Sequence, residues 1–166
     1  MAAGKSTVAE SPTGRLPRAA HVRGDVFRRM VVSGREELLP EETAEARAQL
    51  GLRYRLSAPV ADEYADHGWT AVVRDIVLGP GGYAARVGTR PLYVVVPAPS
   101  TATVRSREAQ RPKTGYGDAW TVDALDRTLR ELTPCIGLWL DTSQRTPVHT
   151  VSSILDDLSV ARVQAD

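Results

Sequence analysis

The 166-residue sequence predicts an α/β fold, a parallel sheet flanked by helices in three layers. Three observations lead there: short apolar runs of strand length, helical segments alternating with them, and carboxylates at the ends of the runs. The opening Met1-Ala2-Ala3-Gly4-Lys5-Ser6-Thr7 leads into a short helix that ends near Ser11-Pro12, where proline removes a donor. Ala20 to Arg23 reads as a strand. Gly24-Asp25 then breaks it and caps a helix over Val26 to Ser33.

From Glu41 to about Ala65 the pattern is helical, with Leu52, Leu56, Val60 and Tyr64 four apart on one face, which predicts packing on the core, and with Pro59 inside. Trp69 to Val73 and Pro91 to Val96 are continuous apolar runs and read as buried strands. Between them Gly79-Pro80-Gly81-Gly82 is a turn, and Tyr83 to Val87 has room for one brief helix. Ser100 to Arg111 is a basic helix, Pro112 to Gly117 a break, and Thr121 to Leu132 a second helix with a capping threonine. That arrangement suits a hinged lid near 100–120. Ile136 to Leu140 is the last strand, followed by the turn Asp141-Thr142-Ser143 and a helix starting at Thr146-Pro147.

Composition narrows the function. A length of 166 residues and 42% hydrophobic content predict one domain with its own core. A net charge of +1 offers no broad attraction to nucleic acid or to an anionic membrane, so small-molecule chemistry is favoured. Cys135 is the single cysteine, which excludes an internal disulfide and predicts a cytoplasmic protein. No apolar run approaches the roughly 18 residues of a membrane span. Only two of the 21 basic residues, Lys5 and Lys113, are lysines, and both stand out in an arginine-rich chain.

Gly4-Lys5-Ser6-Thr7 matches the second half of the phosphate loop G-x-x-x-x-G-K-[ST], in which main-chain amides and a lysine hold phosphates and a hydroxyl ligates magnesium. On this reading Ala3 and Gly4 supply main chain and Lys5 the charge. Ser6 ligates Mg2+ and Thr7 caps the loop. ATP and Mg2+ are the expected cofactors.

Over nearly its whole length the chain resembles the chloramphenicol phosphotransferase-like group of P-loop kinases. Four segments carry the resemblance: Gly4-Lys5-Ser6, Val22-Arg23-Gly24-Asp25, Val72 to Gly79, and Arg107-Glu108-Ala109-Gln110-Arg111. The resemblance implies a P-loop fold and transfer of the ATP γ-phosphate to a hydroxyl of a small metabolite or antibiotic. It makes Asp25 the carboxylate that accepts the hydroxyl proton, and Arg107 and Arg111, spaced i, i+4, lid arginines facing the transferred phosphate. Asp75, ending its strand, is the magnesium-orienting carboxylate or a partner of substrate or lid. Asp141 and Thr142 resemble the loop beside the adenine base, although an ordinary strand-to-helix turn explains them equally well.

In that group a central strand leads directly into the phosphate loop, and Met1-Ala2-Ala3-Gly4-Lys5 reads as loop interior. The expectation is a start assigned too far downstream and a sheet with an open gap or an unsatisfied edge. The alternatives are a nucleotide-hydrolysing regulatory protein, which has no need of Asp25, and an inactive remnant.

Overall fold

The computed structural model describes residues 2–13, 15–78, 82–110 and 120–163. Helix α1 (Lys5–Thr13) is followed by strand β1 (Ala19–Arg23), helix α2 (Gly24–Arg29), the long helix α3 (Ala44–Asp66) and strand β2 (Thr70–Arg74). A 3-10 turn at Ala84–Arg86 precedes strand β3 (Val95–Pro97) and helices α4 (Thr101–Ala109) and α5 (Val122–Glu131). Strand β4 (Leu138–Leu140) and helices α6 (Pro147–Asp156) and α7 (Leu158–Ala161) complete the order.

The α/β class with parallel sheets is observed, but the sheet comes in two halves. β1 pairs parallel with β2, Ala19 opposite Thr70 through Arg23 opposite Arg74. β3 pairs parallel with β4, Val95 opposite Leu138 through Pro97 opposite Leu140. No described strand joins β2 to β3. Helix α1 packs against β1 and β2 on one side and α6 on the other, while α3 covers β1 and β2.

Helix starts follow local chemistry. The hydroxyls of Thr43, Ser100, Thr121 and Thr146 each accept from an amide three residues on, satisfying donors that have no partner inside the helix. Pro147 sits at the first position of α6, where its lack of an N–H costs nothing.

Three expectations are corrected. The stripe Leu52, Leu56, Val60 and Tyr64 is not the core face of α3, since all four are exposed. The helix, which packs on β1 and β2, buries Ala46, Tyr54, Ser57, Ala58 and Ala61 instead. The two valine-rich runs are only half-buried, Trp69 and Tyr93 being 38% and 39% exposed, because β2 and β3 each have a neighbour on one side only. The helix expected over Val26 to Ser33 ends at Arg29.

The core is a cluster of Tyr54, Ala58, Tyr83 and Val87, flanked by Leu50, Val73 and Leu92. The two tyrosine rings meet edge to face at 5.1 Å. Tyr54 donates to the Ile76 carbonyl at 2.7 Å, and the Tyr83 hydroxyl bonds Ser57 at 3.1 Å, so neither phenol is buried unpaired.

Desolvation pushes the Tyr54 phenol up to about 12. A folded-state value above the unfolded one means that the stabilising contribution is complete below about pH 10 and is lost as pH rises toward 12, at about 1.4 kcal/mol per pH unit. Tyr54→Phe removes the bond to Ile76, lowering stability at pH 8 by about 1 kcal/mol, and flattens the loss between pH 10 and 12. Urea midpoints at both ends of that window measure the two effects.

Candidate active site

Gly4 has φ +85°, a left-handed conformation that a Cβ-bearing residue resists, and its carbonyl accepts from Val8 at 2.9 Å to open α1. The chain therefore turns at Gly4 and presents Lys5, Ser6 and Thr7 in the first helical turn. Amides of a first turn have no partner within the helix and carry the positive end of its dipole, which favours an anion. Ser6 and Thr7 are exposed. Lys5 is partly covered, and its ammonium is held below the usual lysine value first by desolvation and then by the charge of Arg74.

Asp25 stands on the first turn of α2, immediately after β1. It does not cap that helix, as the sequence had implied: the capping position is Arg23, which makes no side-chain cap bond. The carboxylate turns instead to arginines, with Oδ1 2.5 Å from Arg74 and Oδ2 3.0 Å from Arg29 and 3.4 Å from Arg23. Burial on its own raises the pKa of Asp25, but the Arg23 hydrogen bond and the charges of Arg74, Arg23 and Arg29 outweigh it and hold the group below the ordinary aspartate value. It is a carboxylate throughout the neutral range, 34% exposed and able to accept a further proton donor.

Asp75 follows β2 in the same way. Its side chain is 2% exposed, receives Arg53 Nε at 2.9 Å on Oδ2 and its neighbour's Ile76 amide at 2.6 Å on Oδ1, and is also paired with a second guanidinium nitrogen of Arg53. Gly24 makes room for it, since a methyl at that position would overlap the Asp75 carboxylate. Among the described residues no group of three His, Cys, Asp or Glu is placed to hold a metal ion. With both oxygens engaged by Arg53, Asp75 does not fit a direct magnesium ligand in this arrangement, while the Ser6 hydroxyl is exposed.

One cavity of about 1520 Å³ is lined by Lys5, Asp25, Arg53, Arg74 and Asp75, with Trp120 at another part of its wall. Lys5 and Asp25 are thus brought to the same space, as is Ala3. Trp120 donates through Nε1 to the Leu38 carbonyl at 2.6 Å, tying the segment before α5 to the loop after α2. Arg107, Asp141 and Thr142 form a separate group outside that cavity's wall. Arg107 donates to the Thr142 carbonyl at 2.6 Å. The Thr142 hydroxyl is buried with no protein partner, and exposed Asp141 accepts from the Ser143 amide and hydroxyl, which hold it below the usual carboxylate value. Arg111, Lys113 and Tyr116 lie outside the described residues.

Sequence reasoning missed Arg53 and Arg74. Arg74 adjoins Asp75 in the chain, but strand alternation directs it to Asp25, a pairing visible only once β1 and β2 are in register. Arg53 lies 22 positions from Asp75, and nothing distinguishes it from the other arginines of an arginine-rich chain.

No curated protein matches this sequence. A sugar kinase from Janibacter sp. HTCC2649, in an unliganded structure, superposes with a TM-score of 0.69 at 19% identity, over 96% of this chain and 90% of that one. A provisionally assigned kinase from Chloroflexus aurantiacus j-10-fl gives 0.57 at 15%, over 96% and 92%. At these identities the likeness is one of fold. A family model described as an AAA domain matches residues 1–135. The chain belongs to the AAA domain family of the P-loop NTPase superfamily.

Proposed function

We propose that this protein is an ATP-dependent phosphotransferase of the chloramphenicol phosphotransferase-like kind, moving the γ-phosphate to a hydroxyl of a small metabolite or antibiotic. The observation that carries the reading is the shared cavity: a lysine behind a left-handed glycine at a helix start, and a carboxylate held ionised by arginines, line the same space. The donor set suits a phosphate tail. Lys5 is desolvated beside Arg74, and the Nε of Arg74 is buried without a protein partner, so an anion would relieve both cations.

Phosphoryl transfer asks for alignment and charge neutralisation more than covalent help. Main chain at Ala3 and Gly4, the Lys5 ammonium and Arg74 hold the phosphates, with Thr7 closing the turn. The acceptor oxygen attacks the γ-phosphorus, the bond to the β–γ bridging oxygen breaks, and ADP departs. Asp25 accepts the hydroxyl proton and returns it to solvent. Because its pKa is depressed, Asp25 orients the hydroxyl and takes the proton late, after the bond to phosphorus has largely formed. Magnesium, when bound with the nucleotide, neutralises phosphate charge, and Ser6 is the hydroxyl suited to it. Arg107 is the described arginine that would face the transferred phosphate, and the Asp141-Thr142 turn flanks the nucleotide base.

ATP with magnesium at about 100 times its Kd raises the unfolding midpoint by about 5–10 °C, and Lys5→Met abolishes most of that shift. Asp25→Asn keeps the shift but lowers the rate of ADP formation with a responsive hydroxylated compound by roughly 10² to 10⁴. A panel of sugars, nucleosides and hydroxylated antibiotics, read by acceptor-dependent ADP release, supplies the compound. Acceptor-independent hydrolysis with Asp25→Asn unaffected supports a nucleotide-hydrolysing regulator instead.

A further inference from the structure

The cavity that holds Lys5 and Asp25 has a second corner, and bonds within the protein trace the way to it. Asp25 stands on the first turn of α2, and Arg28 lies three residues on, one turn further along the same helix. Arg28 is paired with Glu37 in the loop between α2 and α3. The next residue, Leu38, accepts through its carbonyl from Trp120 Nε1 at 2.6 Å. Asp25, Arg28, Glu37, Leu38 and Trp120 all line the one cavity, so its wall leads from the carboxylate to the indole through contacts made inside the protein.

The polar groups along this wall are already matched to one another. Arg28 and Glu37 neutralise each other. Gln49 accepts from the Glu36 amide at 3.0 Å through Oε1, and its Nε2 donates to the Gly34 carbonyl at 2.8 Å and to Glu45 at 2.7 Å, which takes up both amide protons. The Glu36 carboxylate accepts from the Thr43 hydroxyl, and the Trp120 N–H is engaged by Leu38. The rest of this wall is apolar: Phe27, Met30, Val31, Leu38, Leu39 and the Trp120 ring. Met30 and Leu39 are exposed, so part of this apolar surface stands in water in the free protein.

We propose, resting on the phosphotransferase reading, that the acceptor is an alcohol on an apolar body, an aromatic or alicyclic ring with an isolated hydroxyl, and not a sugar. The ring lies against Phe27, Leu38, Leu39 and Trp120, and the hydroxyl reaches Asp25. A sugar carries a hydroxyl on nearly every carbon, and each one taken out of water needs a partner that these mutually engaged groups do not offer. A ring with one hydroxyl asks for a single polar contact, which Asp25 supplies, and it covers apolar surface that is otherwise wet. Transfer then joins the alcohol oxygen to the γ-phosphorus while ADP leaves with the bridging oxygen. The hydroxyl proton passes to Asp25, and the product is a phosphate monoester of the apolar alcohol.

The test measures binding and turnover apart. Without nucleotide, the protein is titrated with 2-phenylethanol, cyclohexylmethanol and D-glucose, followed at the indole N–H resonance of Trp120. Both ring alcohols bind at least about 10-fold more tightly than glucose and move that resonance. Leu39→Gln and Met30→Gln, at exposed positions that leave the core untouched, each weaken the ring alcohols by about 3- to 10-fold and do not weaken glucose. With ATP and magnesium, kcat/KM for acceptor-dependent ADP release ranks the three compounds in the same order. Glucose binding as tightly as the ring alcohols, ring alcohols that leave Trp120 or both variants unaffected, or turnover of glucose alone overturns this inference and leaves phosphoryl transfer standing. Ring alcohols that bind as described while no compound of the sugar, nucleoside and antibiotic panel releases ADP overturn the phosphotransferase reading, and with it their place as acceptors.

Discussion

Everything at the site hangs on the parallel register of β1 and β2. Setting Arg23 opposite Arg74 brings the two strands to an end together, so that the residues just beyond them each meet arginines, Asp25 those at 23, 29 and 74 and Asp75 the one at 53. Gly24 between them has no side chain and lets the Asp75 carboxylate lie against the backbone. The Arg53–Asp75 pair is buried at 10% and 2% exposure, where loss of one partner strands a charge and costs about 3–5 kcal/mol. That pair ties α3 to the end of β2. The tie fixes the strand ends, and through them the place of Asp25.

Charge beside Asp25 is unbalanced in a way that bears on ligand class. Arg23, Arg29 and Arg74 converge on the single carboxylate of Asp25, and Lys5 is desolvated beside Arg74. Immediately around Asp25, cations therefore outnumber acids, which favours an anion at that corner of the cavity and keeps Asp25 ionised. Affinity for an anion and a steady carboxylate would thus have one electrostatic cause. The group formed by Arg107, Asp141 and Thr142 stands apart, held by the Arg107 bond to the Thr142 carbonyl.

Strand-ending carboxylates and helix caps were legible because they depend on neighbours in the chain. Ser100, Thr121 and Thr146 announce their helices by local chemistry, whereas α3 was read from Glu41, two residues before its cap at Thr43, and Gly4-Lys5-Ser6-Thr7 and Asp25 could be singled out before any pairing was known. What could not be read is what pairing decides. The Leu52–Tyr64 stripe has the right periodicity for a core face, yet the face with Tyr54, Ala58 and Ala61 is the one turned inward. The half-covered valines follow from a two-part sheet, and the Arg74–Asp25 contact, 49 residues apart in sequence, exists only across the ladder.

Because the chain has only two lysines, the central claim can be read from a single resonance. In protein labelled at lysine side chains, addition of ATP with magnesium should shift the Lys5 signal and raise its pKa from the depressed value of the free protein, as phosphate replaces lost hydration, while Lys113 serves as the internal comparison. A Lys5 signal that neither moves nor changes its titration at saturating ATP would contradict the account.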